Sequence, residues 1–420
     1  MGLVIRSKPQ MKKLIFYEFK KLWSKTTIIT VSSLIFLLMI MAGVYYVYYE
    51  NSVITSSGKK VAGVGSYWSL KEESKEFEGQ VDQNYLDNFV KEFESSIEKK
   101  NFSHRFGMDT MRFNIASYLL NFPADLEKTS NFSMRFDYDY LKSEEKFYEK
   151  YKEGVKEVIR NQQKLVKNRN EFMWFQYTDE QLEKIDNKVD SLKTPFKVSY
   201  YLGLEKVIFD FTKQYWLVLI VLSFVLCGVF SKDSRNGIDE ITLASACGRK
   251  KIMNAKVIAG NLFSIAVYFI FIATILILNG IYASLHGWGM SAQVLWRTCL
   301  YNISIGTAIM IIFAMGLLGT LLIANFVMLV SISTKYVKLS ALCSIASVLI
   351  LVELAKTTNM LQLQFNPIYF STKLQLDTPI FIRDMMIPYF LFSALIAILY
   401  FTVIRLLTVK QYKRYALIRG

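Results

Sequence analysis

Four stretches of this 420-residue chain run for 20 residues or more without an Asp, Glu, Lys or Arg: 26–49, 257–296, 298–334 and 385–404. A helix needs about 20 predominantly apolar residues to cross the hydrocarbon core of a bilayer. A water-soluble fold of this length would interleave apolar and polar residues throughout. The 40-residue run 257–296 is too long for one span, and "HGWGM" near its end reads as a turn. Two weaker candidates complete the set. Residues 214–231 form an uncharged run of 18, and residues 336–355 carry Lys338 and Glu353 only near their ends. Six spans follow, placed at 26–49, 212–231, 257–283, within 298–332, at 336–355 and at 385–407. The first is not a cleavable signal. Its apolar region is too long, it lacks a small-residue cleavage site, and it ends in "YYVYYE", an aromatic group suited to a membrane interface.

The formal charge of +15 suggests nucleic acid, but its location argues otherwise. Residues 50–211 hold 25 basic and 28 acidic side chains and are close to neutral. The excess lies beside the spans: seven Lys/Arg in residues 1–26, six in 231–256, two in 333–338 and five in 405–420. Six spans with both termini together put these four regions on one side. Basic residues stay cytoplasmic, so both termini are expected inside and residues 50–211 outside. Residues 356–384 form a second external loop, and 408–420 a cytoplasmic tail. The basicity thus has a topological cause, and no nucleic-acid partner is expected.

The long polar block reads as helical and large enough to bury a core. Leu86, Phe89, Val90, Phe93 and Ile97 follow three-four spacing, as do Phe147, Tyr151, Val155, Val158 and Ile159, and Leu182, Ile185, Val189 and Leu192. The chain is therefore expected to be an all-α polytopic membrane protein. It has six transmembrane helices and a large, mainly helical extracellular domain between the first and second. Cys227, Cys247, Cys299 and Cys343 all lie in or near the membrane half, so no disulfide framework is expected in that domain. No Cys/His spacing suits a metal, and His104 and His286 read as structural or interfacial. No cofactor is expected.

Residues 1–25 form a basic leader. Ile15, Phe19, Leu22 and Trp23 fall on one side, with Lys13, Lys20 and Lys21 opposite, the pattern of a helix lying in the membrane surface. Glu18 falls near the apolar edge and spoils that pattern slightly.

Between the second and third spans, residues 232–256 form a cytoplasmic loop within "SKDSRNGIDEITLASACGRKKIMNAK". A short helix there would group Ile238, Ile241, Thr242 and Ser245, with Asp239, Glu240 and Leu243 pointing elsewhere. Periodicity alone leaves open a partner-binding helix or a loop whose lysines reach lipid headgroups. This stretch resembles the corresponding loop of ABC-2 type transporter permeases, the membrane subunits of many bacterial ABC exporters. The matching residues are Asp233, Gly237, Glu240, Leu243, Gly248–Arg249 and Lys256, in the family's order. The proline the family often has before the arginine is replaced by Ala246–Cys247. The leader resembles the family's elbow helix. The likeness covers the membrane half and stops at the external block.

The resemblance implies that the loop is a coupling helix docking a separate ATPase subunit, with Asp239, Glu240 and Leu243 as its contacts. It also implies a second permease copy or related partner, with lipid around the bundle. The chain has no G-x-x-x-x-G-K-[ST] loop; "SSGKK" lacks the upstream glycine. It is therefore expected to be a transport subunit and not an enzyme, with no catalytic residues. A receptor with an external ligand-binding domain is the alternative. Few ionisable residues within the spans disfavour an ion path. An amphipathic or hydrophobic cargo is expected, such as a peptide, lipid or antibiotic. Gln214, Asn279 and Asn325 either line its path or join helices. Richness in Lys, Asn, Ile and Tyr points to a Gram-positive plasma membrane.

Overall fold

The computed structural model describes residues 11–44, 53–54, 60–75, 78–98, 143–168, 177–235, 251–334, 336–356, 365–372 and 374–419. Six of its helices are long and apolar enough to cross a membrane: Lys25–Val44, Leu202–Asp233, Met253–Ala283, Ile305–Ser333, Val337–Ala355 and Tyr389–Arg414. The described chain is predominantly helical and polytopic in type.

Its chain order begins with α1 (Met11–Leu22) and α2 (Lys25–Val44). The polar block follows as β1 (Val53–Ile54), β2 (Lys60–Val61), α3 (Val64–Ser74), β3 (Gly79–Gln80), α4 (Gln83–Glu98), α5 (Glu144–Asn168), α6 (Asp179–Asp190) and β4 (Lys197–Val198). The second apolar helix is α7 (Leu202–Leu226), continued by α8 (Gly228–Arg235). Then come α9 (Met253–Ala283), α10 (Ala292–Leu295), α11 (Ile305–Ser333), α12 (Val337–Lys356), α13 (Pro367–Thr372), β5 (Ile380–Ile382), β6 (Met385–Ile387) and α14 (Tyr389–Arg419). The only sheets among the described residues are three antiparallel two-stranded pairs, β1–β2, β3–β4 and β5–β6.

Helix α7 is central. Its apolar stretch is 78% buried, against 17% for those of α12 and α14. The peripheral helices bury only a stripe, as in α2, where Val31, Leu34, Leu38 and Ala42 face inward at three-four spacing. Water drives little of such packing inside lipid, so close backbone approach and interhelical hydrogen bonds carry it. On α11, a Cβ at Gly319 would fall 1.9 Å from Ser371 Oγ, so only glycine lets α13 come that near. Tyr215 of α7 donates to Gly316 O at 2.8 Å, and Tyr268 of α9 donates to Phe313 O at 2.6 Å.

Three element boundaries differ from the sequence pattern. Helix α7 starts at Leu202, so Glu205, Lys206 and Asp210 belong to the helix of the second apolar run. Helix α11 starts at Ile305, capped by Ser304 Oγ accepting from Thr307 N; the uncharged residues before it form a loop. Residues 385–387 at the head of the last run pair with β5 as a hairpin, and α14 begins only at Tyr389. Uncharged sequence marks a lack of charge, not the helix end.

The polar block and the bundle share one apolar core. Phe147, Tyr151, Val155 and Ile159 of α5 pack with Ile185 and Val189 of α6, as their spacing predicts. Leu86 is buried with them, whereas Val158 and Leu182 are half-buried. The side chains of Phe93 and Ile97 lie outside the described set. That core runs on into Met290, Cys299 and Leu300 of the loop after α9. Hydrogen bonds stitch the same seam. Ser291 N donates to Lys197 O at 2.9 Å, and Tyr151 Oη donates to Arg297 O at 2.6 Å. Tyr177 Oη donates to Pro379 O at 2.8 Å. The "HGWGM" turn sits in this seam, with Gly287 at φ 91° and Met290 N donating to Gly287 O at 3.0 Å. Cys227, Cys299 and Cys343 are free thiols; burial pushes the Cys299 thiol up to about 12.

Candidate functional site

At the bundle end opposite the polar block, three charges from three elements meet. The local cause is an interruption in the second apolar helix at Cys227–Gly228, between α7 and α8. There the amides of Phe230 and Ser231 donate to Ser331 Oγ of α11, at 3.1 and 3.2 Å, and Ser331 Oγ donates to Cys227 O at 2.7 Å. Beyond this break, α8 brings Asp233 to Lys256 in the first turn of α9.

Asp233 receives two lysines. Lys256 of α9 donates to its Oδ2, and also to Val229 O at 2.9 Å. Lys21, at the end of α1, donates to its Oδ1 at 2.8 Å. The Lys256 side chain is 5% exposed and that of Asp233 13%, whereas Lys21 is 43% exposed. The Lys256 ammonium also lies 5.1 Å from the centre of the Phe230 ring. A buried ammonium without a partner is costly, and two hydrogen bonds with a carboxylate offset that cost. Burial, the largest single influence on Lys21, pulls its pKa down. The hydrogen bond and charge of Asp233 and the charge of Glu18 outweigh it, so the ammonium is held above its ordinary value.

Aromatic packing places α1 for this contact. Trp23, one residue past the helix, meets Phe263 of α9 edge-on at 5.1 Å and Phe19 at 6.3 Å. Phe19, Leu22 and Trp23 all pack on the main core. Ile15 is half-buried. Lys13 and Lys20 are exposed as their spacing predicts, but Lys21 does not simply oppose the apolar face; it turns to Asp233. Glu18, the residue that spoils the amphipathic pattern, borders a cleft of about 150 Å³ together with Lys21 and Lys256.

Of the loop residues singled out in the sequence, the structure brings together Asp233 and Lys256. Gly237, Asp239, Glu240, Leu243 and Arg249 lie outside the described residues, as does Cys247. The described residues on either side of positions 236–250, Asp233 and Lys256, therefore meet in one charge cluster. That Asp233 and Lys256 would pair was not visible in sequence, since either could equally have faced water. Lys21 carried no distinguishing signal at all.

Asn325 and Asn279 join helices inside the bundle, while Gln214 bonds within its own helix. Asn325 donates to Asn261 Oδ1 at 2.8 Å, while Asn279 and Gln214 both donate to Asp210, at 2.9 and 3.3 Å. Asp210 is a site residue that sequence reading missed, because it precedes the uncharged run. A carboxylate among apolar helices is a functional-site candidate by default; here two amides satisfy it. His286 has a structural partner, Glu78 Oε2 at 3.0 Å. Among the described residues no group of three His, Cys, Asp or Glu could hold a metal.

Fold and site together define a class: a helical polytopic protein with six apolar spans and a charge cluster closing one end. No protein family, characterised protein or solved structure matches the chain.

Proposed function

We propose that this chain is the permease subunit of an ABC exporter, moved by a separate ATPase that docks on the segment between Asp233 and Lys256. The observation carrying the proposal is the charge cluster. It ties α1, the second apolar helix and α9 together at both roots of that segment. A push on the segment would thus reach three helices at once instead of being absorbed by a slack loop. The loop motif and the amphipathic leader support the same reading from sequence. In it, both termini and the cluster are cytoplasmic and the polar block is extracellular. Two copies, or one and a related partner, complete the path for an amphipathic or hydrophobic cargo.

The test is capture of the ATPase. Leu243→Asp would place a charge in the apolar cleft that receives this side chain, and an unpaired buried charge costs several kcal/mol. Each ~1.4 kcal/mol is tenfold in affinity, so capture should be lost. Wild-type protein that captures no ATPase, or a Leu243→Asp protein that keeps a fully coupled one, refutes the proposal. The orientation is tested separately, with single cysteines at Ser143 and Ser7 in a cysteine-free background. An impermeant thiol reagent on intact cells should label the first and spare the second; the reverse pattern inverts the topology.

The shared core favours one competing reading, a receptor. A ligand on the polar block could press directly on the loop after α9 through Tyr151 and Lys197. A receptor would still signal without any ATPase.

A further inference from the structure

We propose that the cleft between α1, the α7–α8 junction and α9 binds the phosphate of an anionic phospholipid headgroup. Its depth, its charge and its wall composition each point that way. The cleft lies where α7 ends and α9 begins, the level of a membrane surface. Helix α1 runs beside it with Phe16 and Tyr17, both about two-thirds exposed, turned away from the core. That is how an interfacial helix presents aromatic anchors to lipid.

Three lysines border the cleft, Lys21, Lys232 and Lys256, against a single carboxylate, Glu18. Asp233 sits just behind and engages two of the lysines. The count still leaves one positive charge over. Lys232 has no carboxylate partner among the described residues, and nearly half of the Lys21 side chain remains open. An incoming phosphate would meet Lys232 and the free face of Lys21 without displacing Asp233.

The position of Lys232 is set by a glycine. A Cβ at Gly228 would lie 2.7 Å from Lys232 Cε, so the lysine stem lies folded across that glycine at the rim. Between these charges the cleft is lined by apolar Val225, Val229 and Ala259, with Ser24 and Thr27 beside them. A basic rim over an apolar wall suits a phosphate attached to a glycerol and acyl chains better than a free anion. This site does not depend on the transport reading, and its test contains no ATPase.

Binding is measured on the purified full chain in neutral detergent by native mass spectrometry. The probes are short-chain phosphatidylglycerol, short-chain phosphatidylcholine, sn-glycerol 3-phosphate and inorganic phosphate. Phosphatidylglycerol should bind about tenfold tighter than the zwitterionic lipid. Lys232→Gln should weaken it about fivefold, the share of one lysine near an anionic surface. Gly228→Ala should weaken it as well with all charges kept, since the displaced group is the flexible end of Lys232. Lys91→Gln, on the distant polar block, should change nothing. Unchanged melting temperatures identify the variants as folded. Equal binding of the two lipids, or full affinity in Lys232→Gln, would overturn the site. Inorganic phosphate or glycerol phosphate competing as well as phosphatidylglycerol would overturn the lipid assignment.

Discussion

Removing the Lys256 ammonium should cost far more than its single charge would on a surface. In Lys256→Met the stem volume is kept, the Val229 carbonyl loses a donor, and Asp233 is left with only half-exposed Lys21. Breaking a buried pair from one side costs about 3–5 kcal/mol. Asp233 retains one partner, so the lower end, about 3 kcal/mol, applies. Asp233→Leu should cost more, about 5 kcal/mol, because it strands a Lys256 side chain that is only 5% exposed. Lys21→Ala removes the most exposed member and should cost no more than about 1 kcal/mol. Replacing both buried members by apolar side chains of similar size is often neutral. The double variant Asp233→Leu/Lys256→Met should therefore lie within about 1–2 kcal/mol of wild type, well above the sum of its parts.

The assay is unfolding in mixed micelles by dodecyl sulfate titration, read by tryptophan fluorescence. Trp23 packs on Phe263, so loss of the α1 contact enters the signal. With singles of about 3 and 5 kcal/mol and a double of about 1–2, the cycle should give a coupling energy of about 6–7 kcal/mol. Raising salt should change it little, since buried pairs are weakly screened. Additive single effects would show that the two residues do not depend on each other, and the triad would lose its place in the site. Under the proposed function, restored stability in the double variant without restored capture of the ATPase would show that the cluster does more than hold the helices.

Two further outcomes concern the seam with the polar block. Burial, the largest influence on Glu78, pushes its pKa up, but hydrogen bonds from His286 and the Tyr200 amide outweigh it and hold it below its ordinary 4.5. A depressed carboxylate contributes stability that is present above pH 4.5 and lost as pH falls through its lower folded value. Melting temperature should thus drop on acidification below 4.5, and Glu78→Gln should flatten that part of the curve; an identical acid limb in the variant excludes Glu78 as its source. Gly287 holds φ 91°, and a Cβ there would fall 2.1 Å from Tyr200 O. Gly287→Ala should cost on the order of 1–3 kcal/mol or more from backbone strain alone, seen as a lower melting midpoint, and a variant as stable as wild type refutes the turn geometry.

The spans were legible because charge-free length is a one-dimensional signal that no soluble fold needs. Where the helices start was not, because the caps and hairpins are set by particular partners. Ser304 caps α11 through Thr307, and Met385 pairs with Ile382, neither of which hydropathy records. Within the polar block, three-four spacing located the inward faces of α5 and α6 correctly. It could not show that Tyr151 would serve two bodies, its ring in the block's core and its hydroxyl on Arg297 O.

The charge cluster shows why sites of this kind escape sequence reading. Lys21, Asp233 and Lys256 lie far apart along the chain, and each sits where membrane proteins commonly carry a charge facing water or headgroups. The break at Cys227–Gly228, where Ser331 accepts from the Phe230 and Ser231 amides, lies just before Asp233 in the chain. Ser331 is one hydroxyl within a long apolar run, and serines there ordinarily bond their own helix. The residue that accepts at the break is thus the least conspicuous of the group. Ser331→Ala would leave the Phe230 amide without this acceptor, and an unsatisfied buried donor costs about 1–3 kcal/mol. Any shift of α8 that relieves this would also move Asp233, which α8 carries. A loss of hydroxyl at position 331 should therefore weaken the distant salt bridge between two residues it never touches.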